Sequence, residues 1–188
     1  MVITDPVPAD SGYKPGKLSA DIVTLSNVLD PNYGSTDAVA DARALDAPGE
    51  YEIGGILVRG IGIRRADGTR NMAFVVEIEG IRIGHVGLPE AASLKPLPDA
   101  LSDLDILLMP VGGGISLNGP QAADLMTTID PAVAIPMHYK TEQERLDLES
   151  LGKFLSETGA KPEPQARFQA TRSGLPSDLT VVVLEPRG

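Results

Sequence analysis

The chain has no cysteine, no tryptophan and only two histidines, His85 and His138, in 188 residues. Without cysteine there is no disulfide and no thiolate metal ligand, which fits a reducing compartment. Aromatic residues make up only 4%, so the core has to be built from Val, Ile, Leu, Ala and Met. No apolar run approaches the roughly 20 residues that a membrane-spanning helix needs. The start, Met1-Val2-Ile3-Thr4-Asp5-Pro6, lacks a basic segment followed by an apolar stretch, so no signal peptide is read there. These absences lead to the expectation of a cytoplasmic protein with no membrane partner. Positive charge is scarce too. The formal net charge of −10 argues against nucleic acid, whose phosphates need a basic patch. The densest basic group, Arg59, Arg64, Arg65 and Arg70, is broken by Asp67 and reads as a solvated hairpin.

What is present is enough for one domain. A hydrophobic share of 42% over this length supports a core of its own. Gly 20 and Pro 16 are spread along the chain and suggest many turns between short elements. Residues 21–26 (Asp-Ile-Val-Thr-Leu-Ser) read as a short buried strand. A loop rich in Asn, Pro and Gly follows to Gly34, then a helical patch near 36–40 and a strand over 42–46, closed by a Pro48-Gly49 turn. From Tyr51 the pattern predicts an antiparallel meander: strands over 56–64, 71–79 and 81–86, with a hairpin at Asp67-Gly68.

The second half changes character. Residues 105–110 are a continuous apolar strand, followed by Val111-Gly112-Gly113-Gly114. Asn118 is placed to cap a helix with Pro120 in its first turn and Ala122, Leu125, Met126 and Ile129 on one face. Residues 132–136 predict another buried strand. Thr141 with Glu144 three residues on forms a capping-box pattern, with Leu146, Leu148, Leu151, Phe154 and Leu155 as the buried face and Gly159 as the stop. Strands are predicted near 167–171 and over 179–184. Strands in a meander, then strands alternating with helices, predict helices covering sheets. The glycine run lacks the Lys-Ser/Thr pair of a phosphate-cradling loop and reads as a turn.

Taken in order, these segments resemble the metallo-β-lactamase-fold superfamily, and within it the small metal-dependent hydrolases related to ascorbate-6-phosphate lactonase-like proteins. The pieces that carry the likeness are residues 19–26, Pro48-Gly49-Glu50-Tyr51-Glu52-Ile53, residues 80–87, residues 105–113 and Ile135-Pro136-Met137-His138-Tyr139-Lys140. The resemblance implies an α/β (α+β) fold, an αββα sandwich, here one N-terminally shortened domain over residues 1–188. The family's first hairpin would precede Val2; its absence would leave a strand edge open and predicts a homo-oligomer.

The resemblance also implies a metal centre. Family members carry His-x-His-x-Asp-His after the strand ending at Ser26, because several imidazoles and a carboxylate from one loop hold zinc-type ions and lower the pKa of a bound water. Here those positions are Asn27, Leu29, Pro31 and Asn32, with Asp30 one place early. The family's metal-bridging Asp after Gly87 is replaced by Leu88, and only His138 remains of the ligand positions. His85 matches a strand position and reads as a hydrogen-bonded structural histidine. The expectation is therefore a chain with no metal ligands and no cofactor, a non-hydrolytic binding or assembly protein with a small-molecule ligand at Asn27, Asp30, Asn32, Tyr139 and Lys140. The alternative is a hydrolase of a small ester, lactone or phosphoester, with His138 as catalytic base and Tyr139, Lys140, Asp30 or Asp5 nearby. A third reading is an anion pocket formed by Lys140 and the glycine loop.

Overall fold

The computed structural model describes residues 1–7, 12–13, 16–30, 34–37 and 39–186. Its strands, in chain order, are β1 (Val2–Thr4), β2 (Leu18–Ser19), β3 (Ile22–Thr24), β4 (Val39–Ala40), β5 (Arg43–Leu45), β6 (Gly49–Ile53), β7 (Ile56–Arg64), β8 (Arg70–Ile78), β9 (Ile81–His85), β10 (Ile106–Pro110), β11 (Val133–Met137) and β12 (Thr180–Val181). Two helices, α1 (Gly119–Ile129) and α2 (Leu151–Thr158), fall in the second half. The large sheet has seven strands in the order β12-β11-β10-β9-β8-β7-β6, antiparallel through the β6–β9 meander and parallel from β9 to β12. A parallel sheet, β1-β3-β5, and the pair β2-β4 complete the architecture. The α/β class is thus confirmed.

The period-two alternation of a strand explains the layering. In β8, Ala73 and Val75 face a core shared with Leu107, Met109 and, from the helices, Ala122, Leu125, Met126 and Phe154. Met72, Phe74 and Val76 face the opposite way, onto Ile22 and Leu45 of the small sheet. Every residue from Asn71 to Val76 is buried. The far side of the small sheet buries Val23 and Leu25 against Val39. Among the described residues β1 pairs with a strand on one side only, β3.

Local chemistry sets the helices. Asn118 caps α1 through a reciprocal box: its Oδ1 accepts from Gln121 N at 3.0 Å, and Gln121 Oε1 accepts from Asn118 N at 3.1 Å. Gly119 lets the helices approach closely, since a Cβ there would lie 2.9 Å from Phe154 N.

Five expectations are corrected. Residues 36–40 hold no helix among the described positions; Val39 and Ala40 pair with β2 instead. The helix expected from Thr141 begins only at Leu151. Thr141 Oγ1 does accept from Glu144 N, at 3.2 Å, but the turn stops there. Lys140 Nζ takes the carbonyls of Glu144 (2.7 Å) and Leu146 (2.9 Å), while Glu149 N donates to Gly112 O (2.8 Å), so these groups are lost to a helical ladder. Residues 167–171 form no strand, and the last strand covers only Thr180–Val181, with an isolated bridge between Gln165 and Leu184. Arg65 is not solvated: its guanidinium donates to Leu88 O (3.0 Å) and Ile115 O (2.7 Å), and lies 3.7 Å from Glu90.

The joint between the two larger sheets is tight at Gly87, whose φ is +64°. A Cβ there would meet Asn71 Oδ1 and Met72 O at 2.5 Å and Ser26 Cβ at 2.6 Å. Gly87→Ala is expected to cost roughly 2–4 kcal/mol, the sum of left-handed strain and overpacking. Urea unfolding of the two proteins measures it.

Candidate functional site

The strands of both sheets end at one cleft. Thr4 ends β1 and Asp5 follows it, His85 closes β9, and His138 and Tyr139 follow β11. The cleft has a volume of about 570 Å³, within the range of small-molecule sites. Leu88, Leu108, Ile135, Met137, Leu146 and Leu184 form its apolar wall, and Tyr13, Glu144, Arg145 and Glu185 also line it.

Two of the lining residues sit in the left-handed region without being glycine: Asp5 at φ 41° and His138 at φ 52°. Such conformations persist only where the surroundings hold them. For His138 the neighbour is Gly112, where a Cβ would fall 2.3 Å from His138 O. For Asp5 the holding contacts are explicit. Its N donates to Thr24 O at 2.9 Å. Its carboxylate accepts from Ser26 N at 2.6 Å and from the Ser26 hydroxyl.

The Asp5 carboxylate also lies 3.9 Å from His85 Nε2, too long for a hydrogen bond. His85 Nδ1 accepts from Gly87 N at 3.3 Å, which puts the proton of the neutral ring on Nε2, facing Asp5. Burial pushes the Asp5 carboxyl above its ordinary value, opposed by His85 and the two Ser26 bonds. Burial likewise pulls His85 down, against the attraction of Asp5. For each group desolvation is the larger influence and the partner's charge the smaller, opposing one. His138 is lowered by burial, with Glu144 and Asp30 acting the other way. Tyr139 is raised by burial and by Tyr13, which keeps its phenol protonated.

Of the residues expected at the site, His138 and Tyr139 line the cleft. Asp30 is close enough for its charge to act on His138. Asn27 turns its amide oxygen to Leu29 N at 3.2 Å, capping its own loop. Asn32 and Pro31 lie outside the described residues. Lys140 holds two loop carbonyls rather than lining the cleft. The sequence reading missed Glu144 as a neighbour of His138, having given it to a helix cap, and missed Ser26 as the anchor of Asp5. The Thr-Asp-Pro and Leu-Ser strand ends were the available signal for the second.

The two lowered histidines fix the sign of a pH effect. A base whose folded pKa is depressed contributes stability that is complete above its ordinary 6.5 and lost as the pH falls below it. Asp5, being raised, acts oppositely: its contribution is present below its ordinary 3.8 and lost as pH rises through its folded value. Thermal melts are expected to fall as the pH drops below 6.5, and His85→Gln to flatten that acid slope in part. An unchanged slope in the variant would remove His85 as its source.

Residues 1–138 match the family model described as the beta-lactamase superfamily domain. A UPF0173 protein of Pyrococcus furiosus is 28% identical over 109 residues, covering 58% of this chain and 50% of that one. A UPF0173 metal-dependent hydrolase of Thermococcus onnurineus is 23% identical over 158 residues, covering 68% and 70%. The chain spans about half the length of the Pyrococcus relatives it matches. A solved structure from Thermotoga maritima, described within the Zn-dependent hydrolases of the metallo-beta-lactamase superfamily, superimposes with a TM-score of 0.76. It is 28% identical, with 97% of this chain and 88% of that one covered.

These relatives correct two expectations. Their names point to hydrolases, against a non-hydrolytic binding protein, and to a metal cofactor rather than none. Among the described residues no three His, Cys, Asp or Glu stand together as metal ligands. Asn27 is turned into its own loop, Leu29 is exposed and Leu88 is a buried hydrocarbon. The described donors do not form a three-ligand zinc centre. By its matched family model and its strand order alike, the chain belongs to the beta-lactamase superfamily domain family.

Proposed function

We propose that this protein is a hydrolase of a small ester, lactone or phosphoester, working in the cleft around His138. The observation that carries the proposal is the placing of His138. It stands half-buried in a cleft of about 570 Å³, with the charges of Glu144 and Asp30 acting on its ring. Burial keeps the imidazole neutral near pH 7, so it can accept a proton. As it does so, the two carboxylates stabilise the imidazolium. Water attacks the carbonyl or phosphoryl centre and its proton passes to His138. The bond to the leaving oxygen then breaks, and that oxygen takes the proton back. Tyr139, held as the phenol, is the donor available to the oxygen on which negative charge develops. The names of the relatives support the reaction class.

Aryl esters and phosphodiesters, assayed with and without added zinc or manganese, test the reading. His138→Asn suits the comparison because Asn tolerates positive φ. Its kcat/KM is expected to fall about 10²- to 10⁴-fold, the usual contribution of a positioned base. A variant as active as the parent would overturn the assignment of His138.

We propose as well that β1 pairs with a second copy of the chain, since its outer edge carries no strand among the described residues. Light scattering would show a dimer or larger species at micromolar concentration. A monomer throughout would rule the pairing out.

A further inference from the structure

The cleft distinguishes among the substrates named above, and this inference rests on the hydrolase reading. We propose that the site selects an uncharged carboxylic ester, open-chain or cyclic, carrying an apolar chain, and discriminates against phosphoesters.

Three observations carry the choice. The first is charge. Among the described lining residues Asp5, Glu144 and Glu185 are acidic, and Arg145 alone is a permanent cation. A phosphate brought in here loses water and meets three acidic side chains against one cation.

The second is that nearby anion-binding groups are already engaged. Lys140 Nζ donates to the carbonyls of Glu144 and Leu146. Gly113 N donates to Leu117 O at 2.9 Å, so the glycine loop does not present that amide to a ligand. The start of α1 is closed by its own Asn118–Gln121 box. Lys140 and the Gly113 amide, two of the groups expected to form an anion pocket, thus have other partners.

The third observation is the wall. Leu108, Ile135, Met137, Leu146 and Leu184 line one continuous cleft with Leu88. The buried Leu88 side chain makes the floor beside them hydrocarbon. The neutral donors that remain, above all the Tyr139 phenol, suit a carbonyl oxygen. Tyr13 shares its hydroxyl with Thr141 Oγ1 at 2.6 Å, which fixes the rim. Burial of an acyl chain against such a wall contributes to binding with each methylene added.

The test has a catalytic and a binding arm. In the first, kcat/KM is measured for p-nitrophenyl acetate, butyrate and hexanoate and for bis-p-nitrophenyl phosphate. The acyl esters are expected to rise by roughly threefold per methylene and to exceed the phosphodiester by at least about tenfold. In the second, calorimetry on His138→Asn compares γ-nonalactone with inorganic phosphate. The lactone is expected to bind and phosphate not to bind.

Leu146→Lys, on a surface loop, places a cation in the wall and is expected to narrow the ester preference by about tenfold. Leu184→Lys provides a second position should the first variant fold poorly. Phosphodiester hydrolysis equal to or faster than that of the esters would overturn this inference while leaving the hydrolase reading intact. Lactone binding with no turnover of any ester would do the reverse. Phosphate binding as tight as lactone binding, or no lactone binding, also overturns the selectivity.

Discussion

The arrangement depends on how Ser26 is held. Its N–H and hydroxyl both donate to the Asp5 carboxylate, which binds the end of β1 to the end of β3. Its carbonyl accepts from Met72 N at 2.8 Å, which binds that same point to the large sheet. One residue thus connects three strands from two sheets. Asn71, next to Met72, extends the joint: its side chain donates to Val86 O at 2.9 Å and accepts from Leu88 N at 2.7 Å. The loop after β9 is fixed by these bonds, and with it His85 and the Leu88 wall. Ser26 and Asn71 are buried, where an unmade bond costs most.

A consequence for chemistry follows from this order of construction. The joint is built from Ser, Asn, Asp and backbone, and none of its bonds needs a metal. The cleft can therefore hold its shape while the loop positions Asn27 and Leu29 carry side chains unsuited to ligation. The relatives' names speak of metal dependence; the described cleft of this chain carries His138, Asp5 and two tyrosines. Membership of the family establishes the scaffold; the lining of the cleft decides what enters it.

Much of the fold was legible in the sequence because its strands are strongly patterned. The meander could be read to within a residue or two, since Asp67-Gly68 and Glu79-Gly80 mark its turns and the runs between are rich in Val and Ile. Asn118 was legible because a cap and its partner lie three residues apart. The helix assigned from Thr141 was not, because the deciding contacts are remote: Lys140 reaches forward to two carbonyls and Glu149 reaches back to Gly112. Local propensity cannot register such competitors. The site was half legible for the same reason. His138 stands out in a chain with two histidines, but Asp30 comes from another loop, and Glu144, further along the same loop, was assigned to a helix cap. The inference of a metal-free binding protein failed differently. Ligand loss at named positions describes those positions, and it does not describe what the remaining cleft can do.

The double burial of β8 has a mechanical consequence. Met72, Phe74 and Val76 are one wall of the core facing the small sheet, and Ala73 and Val75 are part of the core facing the helices. Neither layer can detach without stripping cover from a strand on which the other also rests. Melting of one layer thus removes support from the second, and the described body should lose its structure as a single cooperative unit rather than layer by layer.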